Sequence, residues 1–302
     1  MTNTIGVVGS GTMGSGIAQV AAQAGCDVIL LDTTLERSRG GLSKIASSLK
    51  RLADKGKISV DDATAITGRI TPSADFSALA NSPLVIEAVF EDPDTKRGVI
   101  EAVSAVTDPS SIFATNTSSI SITKLGAATS RPDKVIGMHF MNPVPVMKLI
   151  EIIRGYNTTD EVCESIMEIA RALGKVPVEV NDSPGFVANK ILLPMINEAI
   201  ITLSEGTAGL EEIDTVMKLG MAHPMGPLQL ADFIGLDVCL NILRVLHDGY
   251  GSPKYSPSPL LVNMVAAGHL GVKTGRGFYD YSNGSKPLVP AEKFKKKSSV
   301  LV

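Results

Sequence analysis

The sequence predicts an α/β protein: a doubly wound parallel sheet followed by an all-helical segment. Three observations carry this expectation. Short apolar runs alternate with helical patterns through the first 180 residues, the signature of strands joined by crossover helices. A glycine-rich turn lies between the first apolar run and the first helix. From Phe186 onward the two-residue alternation fades and helical periods remain.

In chain order, Ile5–Val8 is a short apolar strand, followed by glycines and a helix over Ile17–Ala24 that Gly25 ends. Asp27–Leu31 is the next strand. Leu42, Ile45, Ala46, Leu49, Leu52 and Ala53 recur at helical spacing, so Gly41–Lys55 is expected as an amphipathic helix. Leu84–Phe90, Ile112–Ala114, Val135–Phe140, Leu149–Ile153 and Val176–Val180 are further strands. Beyond them Ile191–Leu203, Leu210–Leu219 and Leu228–Leu246 read as helices, punctuated by Gly206, Pro224, Gly226, Pro227 and Gly249. The expected domains are therefore 1–182 (α/β) and 183–302 (helical), with a basic tail, Lys293–Lys297, expected to fray.

Composition narrows the function. A length of 302 residues suits two domains, and 44% hydrophobic residues suit a folded, globular chain. A formal charge of -3 argues against nucleic acid as a partner, because phosphate binding needs a basic excess. Three cysteines, Cys26, Cys163 and Cys239, lack C-x-x-C spacing, so neither a disulfide framework nor a zinc site is expected, and no metal. Residues Met1 to Cys26 carry no charge, but six glycines and two glutamines interrupt them. That pattern reads as a folded element rather than a leader or membrane span, so no membrane partner and a cytoplasmic location are expected.

Gly9-Ser10-Gly11-Thr12-Met13-Gly14 has the G-x-G-x-x-G spacing, directly after a strand and opening a helix. The first glycine permits a tight turn, the second lets backbone approach a pyrophosphate, and the third lets helix pack on strand. Phosphates then meet the N–H groups at a positive helix terminus. Asp32 ends the next strand, 18 residues past Gly14. It reads either as the carboxylate that binds an adenosine ribose or as an acid capping the following helix. As a ribose ligand it would repel a 2′-phosphate. NAD is then the expected cofactor, with NADP left open by Arg37 and Arg39 nearby.

Among four histidines, His139 stands apart: it lies at the end of the Val135–Phe140 strand, where open α/β sheets place their ligands if the strand runs parallel. The turn Asn142-Pro143-Val144-Pro145 leads into a strand containing Glu151. Such a pair would fix the imidazole tautomer and raise its basicity, as a general base for an alcohol requires. A buried structural ion pair is the competing reading. The hydroxyl-rich run Thr115-Asn116-Thr117-Ser118-Ser119 closes another strand, and Asp182-Ser183-Pro184-Gly185-Phe186 opens the helical segment. Either run also reads as ordinary helix capping.

These motifs, together with His139-Phe140-Met141-Asn142-Pro143 and Pro184-Gly185-Phe186-Val187-Ala188-Asn189, occur in one order along the chain. In that order the sequence resembles the L-3-hydroxyacyl-CoA dehydrogenases, most of all the short bacterial 3-hydroxybutyryl-CoA dehydrogenases, over nearly its whole length. The first domain is then of Rossmann type. The resemblance implies His139 as general acid/base, Glu151 as its orienting acid, and Ser118 and Asn189 as contacts to the substrate oxygen. It also implies cofactor contacts from Glu91, Lys96 and Asn142 and from Lys273 near the C-terminus, an acyl-CoA thioester substrate, and homodimers paired through the helical domain. One departure is Lys190, where the family pattern usually has Arg.

A polyanionic CoA would suit the span Glu36–Arg69, which holds eight Lys or Arg against four Asp or Glu. Lys50 and Lys55 are the candidate contacts, unless this charge is merely the solvated face of an amphipathic helix. Two other readings share the fold: a gulonate-type dehydrogenase acting on a free carboxylate, and a non-catalytic cofactor-binding protein of the lens-crystallin kind.

Overall fold

The computed structural model describes residues 4–284 and 287–295; Lys296 and Lys297 of the basic tail lie outside the described residues. The chain divides into a unit ending at Phe186 and a unit beginning at Val187.

The first unit runs β1 (Thr4–Val8), α1 (Thr12–Gln23), β2 (Asp27–Leu31), α2 (Leu35–Asp54), α3 (Val60–Gly68), β3 (Ile70–Ser73) and β4 (Leu84–Glu87). It continues through α4 (Pro93–Val106), β5 (Ile112–Thr115), α5 (Ile122–Gly126), β6 (Val135–Phe140), β7 (Leu149–Arg154), α6 (Asp160–Ala172) and β8 (Val176–Asn181). The strands form one sheet in the order β3-β2-β1-β4-β5-β6-β7-β8. From β3 to β6 every pairing is parallel. Side chains alternate between two cores: Leu84 and Ile86 join the α1–α2 side, Val85 the α4–α5 side.

Helix boundaries follow local chemistry. The Thr34 side chain caps α2 by accepting from Arg37 N, Ser59 and Asp62 form a capping box on α3, and Asp92 caps α4 ahead of Pro93. The capping of α2 starts that helix at Leu35 rather than at Gly41. The expected strand through Phe90 stops at Glu87, whose side chain turns back to accept from Val89 N at 2.6 Å.

The sheet is not parallel throughout. β6 and β7 are antiparallel, because residues 141–148 make a loop too short for a crossover. The hairpin sets His139 directly opposite Glu151. β8 returns to parallel pairing with β7 after α6.

The second unit holds α7 (Ala188–Ser204), α8 (Leu210–Gly220), α9 (Pro227–Ile234), α10 (Leu236–Tyr250), α11 (Pro259–Ala266) and a small antiparallel pair, β9 (Tyr279–Asp280) and β10 (Val289–Pro290). The single helix expected over Leu228–Leu246 is two helices, broken at Gly235 with φ 104°. Leu193, Ile196, Leu228, Leu240, Leu243 and Phe278 sit at the centre of its core. Two buried carboxylates organise this unit's end. Asp214 accepts from Leu228 N, Gln229 N and the Tyr279 hydroxyl, and Asp232 accepts from Phe278 N, Tyr279 N and the Tyr281 hydroxyl. Among the described residues no helix is long and apolar enough to cross a membrane.

Candidate active site

The strand order reverses between β1 and β4, and at such a switch point loops diverge to opposite faces and leave a crevice beyond the carboxyl ends of the strands. Candidate residues of the first unit gather there from five strand ends.

At the end of β1, Gly9 adopts φ 100°, and its N–H donates to Leu31 O at 2.7 Å, tying the start of the turn to the end of β2. A Cβ at Gly14 would lie 1.7 Å from Gly9 O, so only glycine fits where α1 meets the turn. A Cβ at Gly11 would meet nothing within 4 Å, which leaves open ground at the N-cap of α1, beside exposed Thr12. Helix starts leave their first N–H groups without intrahelical acceptors, so this ground suits an anion.

Asp32 ends β2 beside that turn. Its Oδ2 accepts from Ser10 N (2.8 Å) and Ser10 Oγ (2.6 Å), and its Oδ1 from Thr33 N (2.7 Å), with Arg37 Nε at 3.2 Å. Burial works to raise the Asp32 carboxyl, but the Ser10 and Thr33 donations outweigh it and hold the group below the usual carboxylate range. Asp32 is thus a fixed negative charge at the edge of the glycine turn. α2 takes its cap from Thr34 instead.

On the other side of β1, the ends of β4 and β5 are tied together. Glu91 Oε1 accepts from Thr117 Oγ1 (2.5 Å), Ser118 N (2.9 Å), Ser119 N (3.1 Å) and Ser119 Oγ (3.0 Å), and its Oε2 lies 3.2 Å from Lys96 Nζ. Burial pushes the Glu91 carboxyl up, yet Lys96 and the Thr117, Ser118 and Ser119 donors bring it below its ordinary value. Lys96 is 1% exposed. Its ammonium faces these carboxylates rather than solvent.

His139 and Glu151 are buried and joined through Nδ1···Oε2 at 2.8 Å. A carboxylate can only accept, so Nδ1 carries the donated proton and Nε2 is the nitrogen left to exchange one with a ligand. The Phe186 ring lies 5.8 Å from the imidazole, centroid to centroid. Asn142 is exposed in the following turn. In the second unit, Asn189 is half-buried in the first turn of α7, and Lys190 Nζ sits 4.4 Å from the Tyr250 ring centre. Lys273 is exposed and paired with Asp237 at 2.6 Å. Lys50 is exposed and paired with Asp54 at 3.3 Å, one turn away, whereas exposed Lys55 caps the end of α2.

Three residues of this region were not among the expected ones. Asn116 Oδ1 accepts from Phe140 N at 2.9 Å, tying the Ser118 turn to the strand end that bears His139. Lys175 donates to Val144 O and, at 2.8 Å, to Met147 O, holding the turn after His139. Glu87 receives Lys96 at 2.7 Å and Thr115 Oγ1 at 2.7 Å. For Glu87 a signal existed: it is the lone charge closing the apolar run Leu84-Val85-Ile86. Lys175, a lysine before an edge strand, gives none.

A family profile for the NAD-binding domain of 3-hydroxyacyl-CoA dehydrogenases matches residues 4–183, and that for the C-terminal domain of the same family matches residues 185–281. A probable 3-hydroxybutyryl-CoA dehydrogenase of Bacillus subtilis is 52% identical over 275 residues, 91% of this chain and 96% of the relative. The 3-hydroxybutyryl-CoA dehydrogenase of Bradyrhizobium diazoefficiens is 51% identical, over 94% of this chain and 97% of its own. The crystal structure of an (S)-3-hydroxybutyryl-CoA dehydrogenase from Ralstonia eutropha superposes with a TM-score of 0.91 at 49% identity, covering 93% of this chain and all (100%) of the other. The chain belongs to the 3-hydroxyacyl-CoA dehydrogenase family.

Proposed function

We propose that this protein is an NAD-dependent oxidoreductase interconverting (S)-3-hydroxyacyl-CoA and 3-ketoacyl-CoA thioesters, with 3-hydroxybutyryl-CoA and acetoacetyl-CoA as the preferred pair. The observation that carries this reading is the buried His139–Glu151 pair at the carboxyl end of β6, a strand parallel to β5 and three places along the sheet from β1 and its glycine turn. The names of the similar proteins support the substrate class.

The first unit suits the dinucleotide. Open ground over Gly11 and the start of α1 would take the pyrophosphate, and the Asp32 carboxylate would meet the adenosine ribose. Across the switch point, Glu91, Lys96 and Asn142 would line the nicotinamide half, and the family resemblance adds Lys273 as a cofactor contact. Once bound, the cofactor supplies the hydride acceptor or donor.

The remaining chemistry belongs to the side chains. In oxidation His139 Nε2 takes the substrate hydroxyl proton, while Glu151 stabilises the imidazolium that results. In reduction the same imidazolium returns the proton to the oxygen. Ser118 and Asn189 hold that oxygen and steady its developing charge. Losing one such donor costs about 3 kcal/mol of barrier. Lys50 and Lys55, within the basic α2–α3 span, grip the CoA phosphates. Residues 1–182 thus bind the cofactor, and 183–302 complete the substrate site and pair two copies, in the cytoplasm. Ile191 (68% exposed), Leu219 (82%) and Phe233 (59%) give the helical unit an apolar surface suited to that pairing.

NADH oxidation with acetoacetyl-CoA and with free acetoacetate tests the reading. Turnover confined to the thioester is expected. Equal or better turnover of the free acid points to the gulonate-type reaction, and tight NADH binding without any turnover points to a non-catalytic role.

A further inference from the structure

Glu87 is fully buried at the end of β4, and its four polar contacts fill its carboxylate. Oε1 accepts from Val89 N (2.6 Å) and Lys96 Nζ (2.7 Å), and Oε2 from Lys96 Nζ (3.0 Å) and Thr115 Oγ1 (2.7 Å). Lys96 reaches on to Glu91 Oε2 at 3.2 Å, and Glu91 Oε1 holds the backbone of Ser118. Thr115 Oγ1 in turn accepts from Thr117 N at 3.2 Å. Glu91 thus holds the Ser118 turn directly, and Glu87 braces that hold through Lys96 and, by a second route, through Thr115.

Packing alone does not account for this cluster. A buried ion pair usually stabilises no more than an apolar pair of similar volume, and Ile86 of β4 and Ile100 of α4 are already fully buried in the apolar cores. Two carboxylates around one ammonium also leave one unit of negative charge at the β4–β5 end of the crevice.

We propose that Glu87 is a positioning residue of the reaction: it steers Lys96 onto Glu91, so keeping the Ser118 turn set, and it supplies the net negative charge beneath the nicotinamide half of the crevice. This rests on the hydride-transfer reading of that crevice. Oxidised nicotinamide is a cation and the reduced ring is neutral, so the charge favours NAD over NADH. Glu87 touches neither substrate nor cofactor and acts through Lys96 and Glu91.

Two variants separate the geometric part from the electrostatic part. Glu87→Gln keeps the shape and removes the charge; Glu87→Asp keeps the charge and withdraws it by one methylene. Kd for NAD and NADH, the melting temperature, and kcat and KM for acetoacetyl-CoA are measured for each. In Glu87→Gln, Kd(NAD)/Kd(NADH) rises about three- to tenfold, the scale for one unit charge lost near a partly solvated site. In Glu87→Asp that ratio stays at the wild-type value. Both variants lower kcat about tenfold with KM nearly unchanged, as loss of a purely transition-state interaction would. An unchanged ratio in Glu87→Gln, or wild-type kcat in both variants despite lowered melting temperatures, reduces Glu87 to a structural ion pair and overturns the proposal. Should Glu87→Gln not fold, the kcat of Glu87→Asp decides: a wild-type value overturns the proposal and a lowered one supports it. If the wild-type enzyme does not turn over acetoacetyl-CoA at all, the functional reading fails. If it does and the variants match it, this inference alone fails.

Discussion

Ser10 in the glycine turn and Asp32 just past the next strand are joined twice, by backbone N–H at 2.8 Å and hydroxyl at 2.6 Å, onto the same carboxylate oxygen. The turn and the acid are thus one rigid unit, and Arg37, 3.2 Å from the other oxygen, is neutralised by it.

Cofactor choice follows from that unit. Asp32→Ser removes the ribose acceptor and the repulsion of a 2′-phosphate, and frees Arg37 to meet that phosphate. The ratio of kcat/KM for NADH to that for NADPH is expected to fall at least about tenfold, roughly 1.4 kcal/mol of discrimination. An unchanged ratio would leave Asp32 as a structural anchor of the turn only.

CoA recognition divides between the two candidate lysines. Lys50 is already paired with Asp54, whereas Lys55 at the end of α2 has no ion pair among the described residues. Lys55→Ala is expected to raise KM for acetoacetyl-CoA about three- to tenfold at low salt and less at high salt, as a screened charge contact requires. Lys50→Ala is expected to do less. Neither should change KM for the acetoacetyl-pantetheine thioester, which lacks the adenine nucleotide; equal effects on both substrates would return α2 to ordinary surface.

The helical unit should lose stability as pH rises from about 4 to about 7. Burial pushes the Asp232 carboxyl from 3.8 up to about 7, against the pull of its Tyr279, Phe278 and Tyr281 donors. Burial raises Asp214 as well. A folded value above the unfolded one gives a contribution complete below about pH 4 and lost as pH climbs through about 7, on the order of a few kcal/mol. The melting temperature of the unit is therefore expected to fall between pH 5 and pH 8, and to fall less in Asp232→Asn. A flat wild-type profile over that range would contradict the assignment.

Much of this arrangement was legible in the sequence, because glycine spacing and strand alternation are local signals. Gly9, Gly14 and Asp32 stand where their spacing put them, and Val135–Phe140 is the expected strand residue for residue. The antiparallel turn of β7 was harder to foresee: hydrophobic period fixes a strand but not its direction. Helix α10 was fused with α9 for a similar reason, since one glycine in an apolar run does not announce a positive φ. Glu87 and Lys175 were passed over because burial of a charge depends on partners far along the chain, such as Thr115 and Val144. Glu91 was named only through the resemblance, since its grip on Ser118 spans 27 residues.

The most direct test of the account is NADH oxidation by acetoacetyl-CoA in the wild-type protein and in His139→Gln, with the Kd for NADH measured alongside. In the proposed reaction the imidazole moves a proton and holds no phosphate, so kcat should fall by about 10²–10⁴-fold while Kd stays within about twofold. Retention of more than about a tenth of wild-type kcat would contradict general acid/base catalysis by His139. It would leave the 2.8 Å pairing with Glu151 as a structural contact.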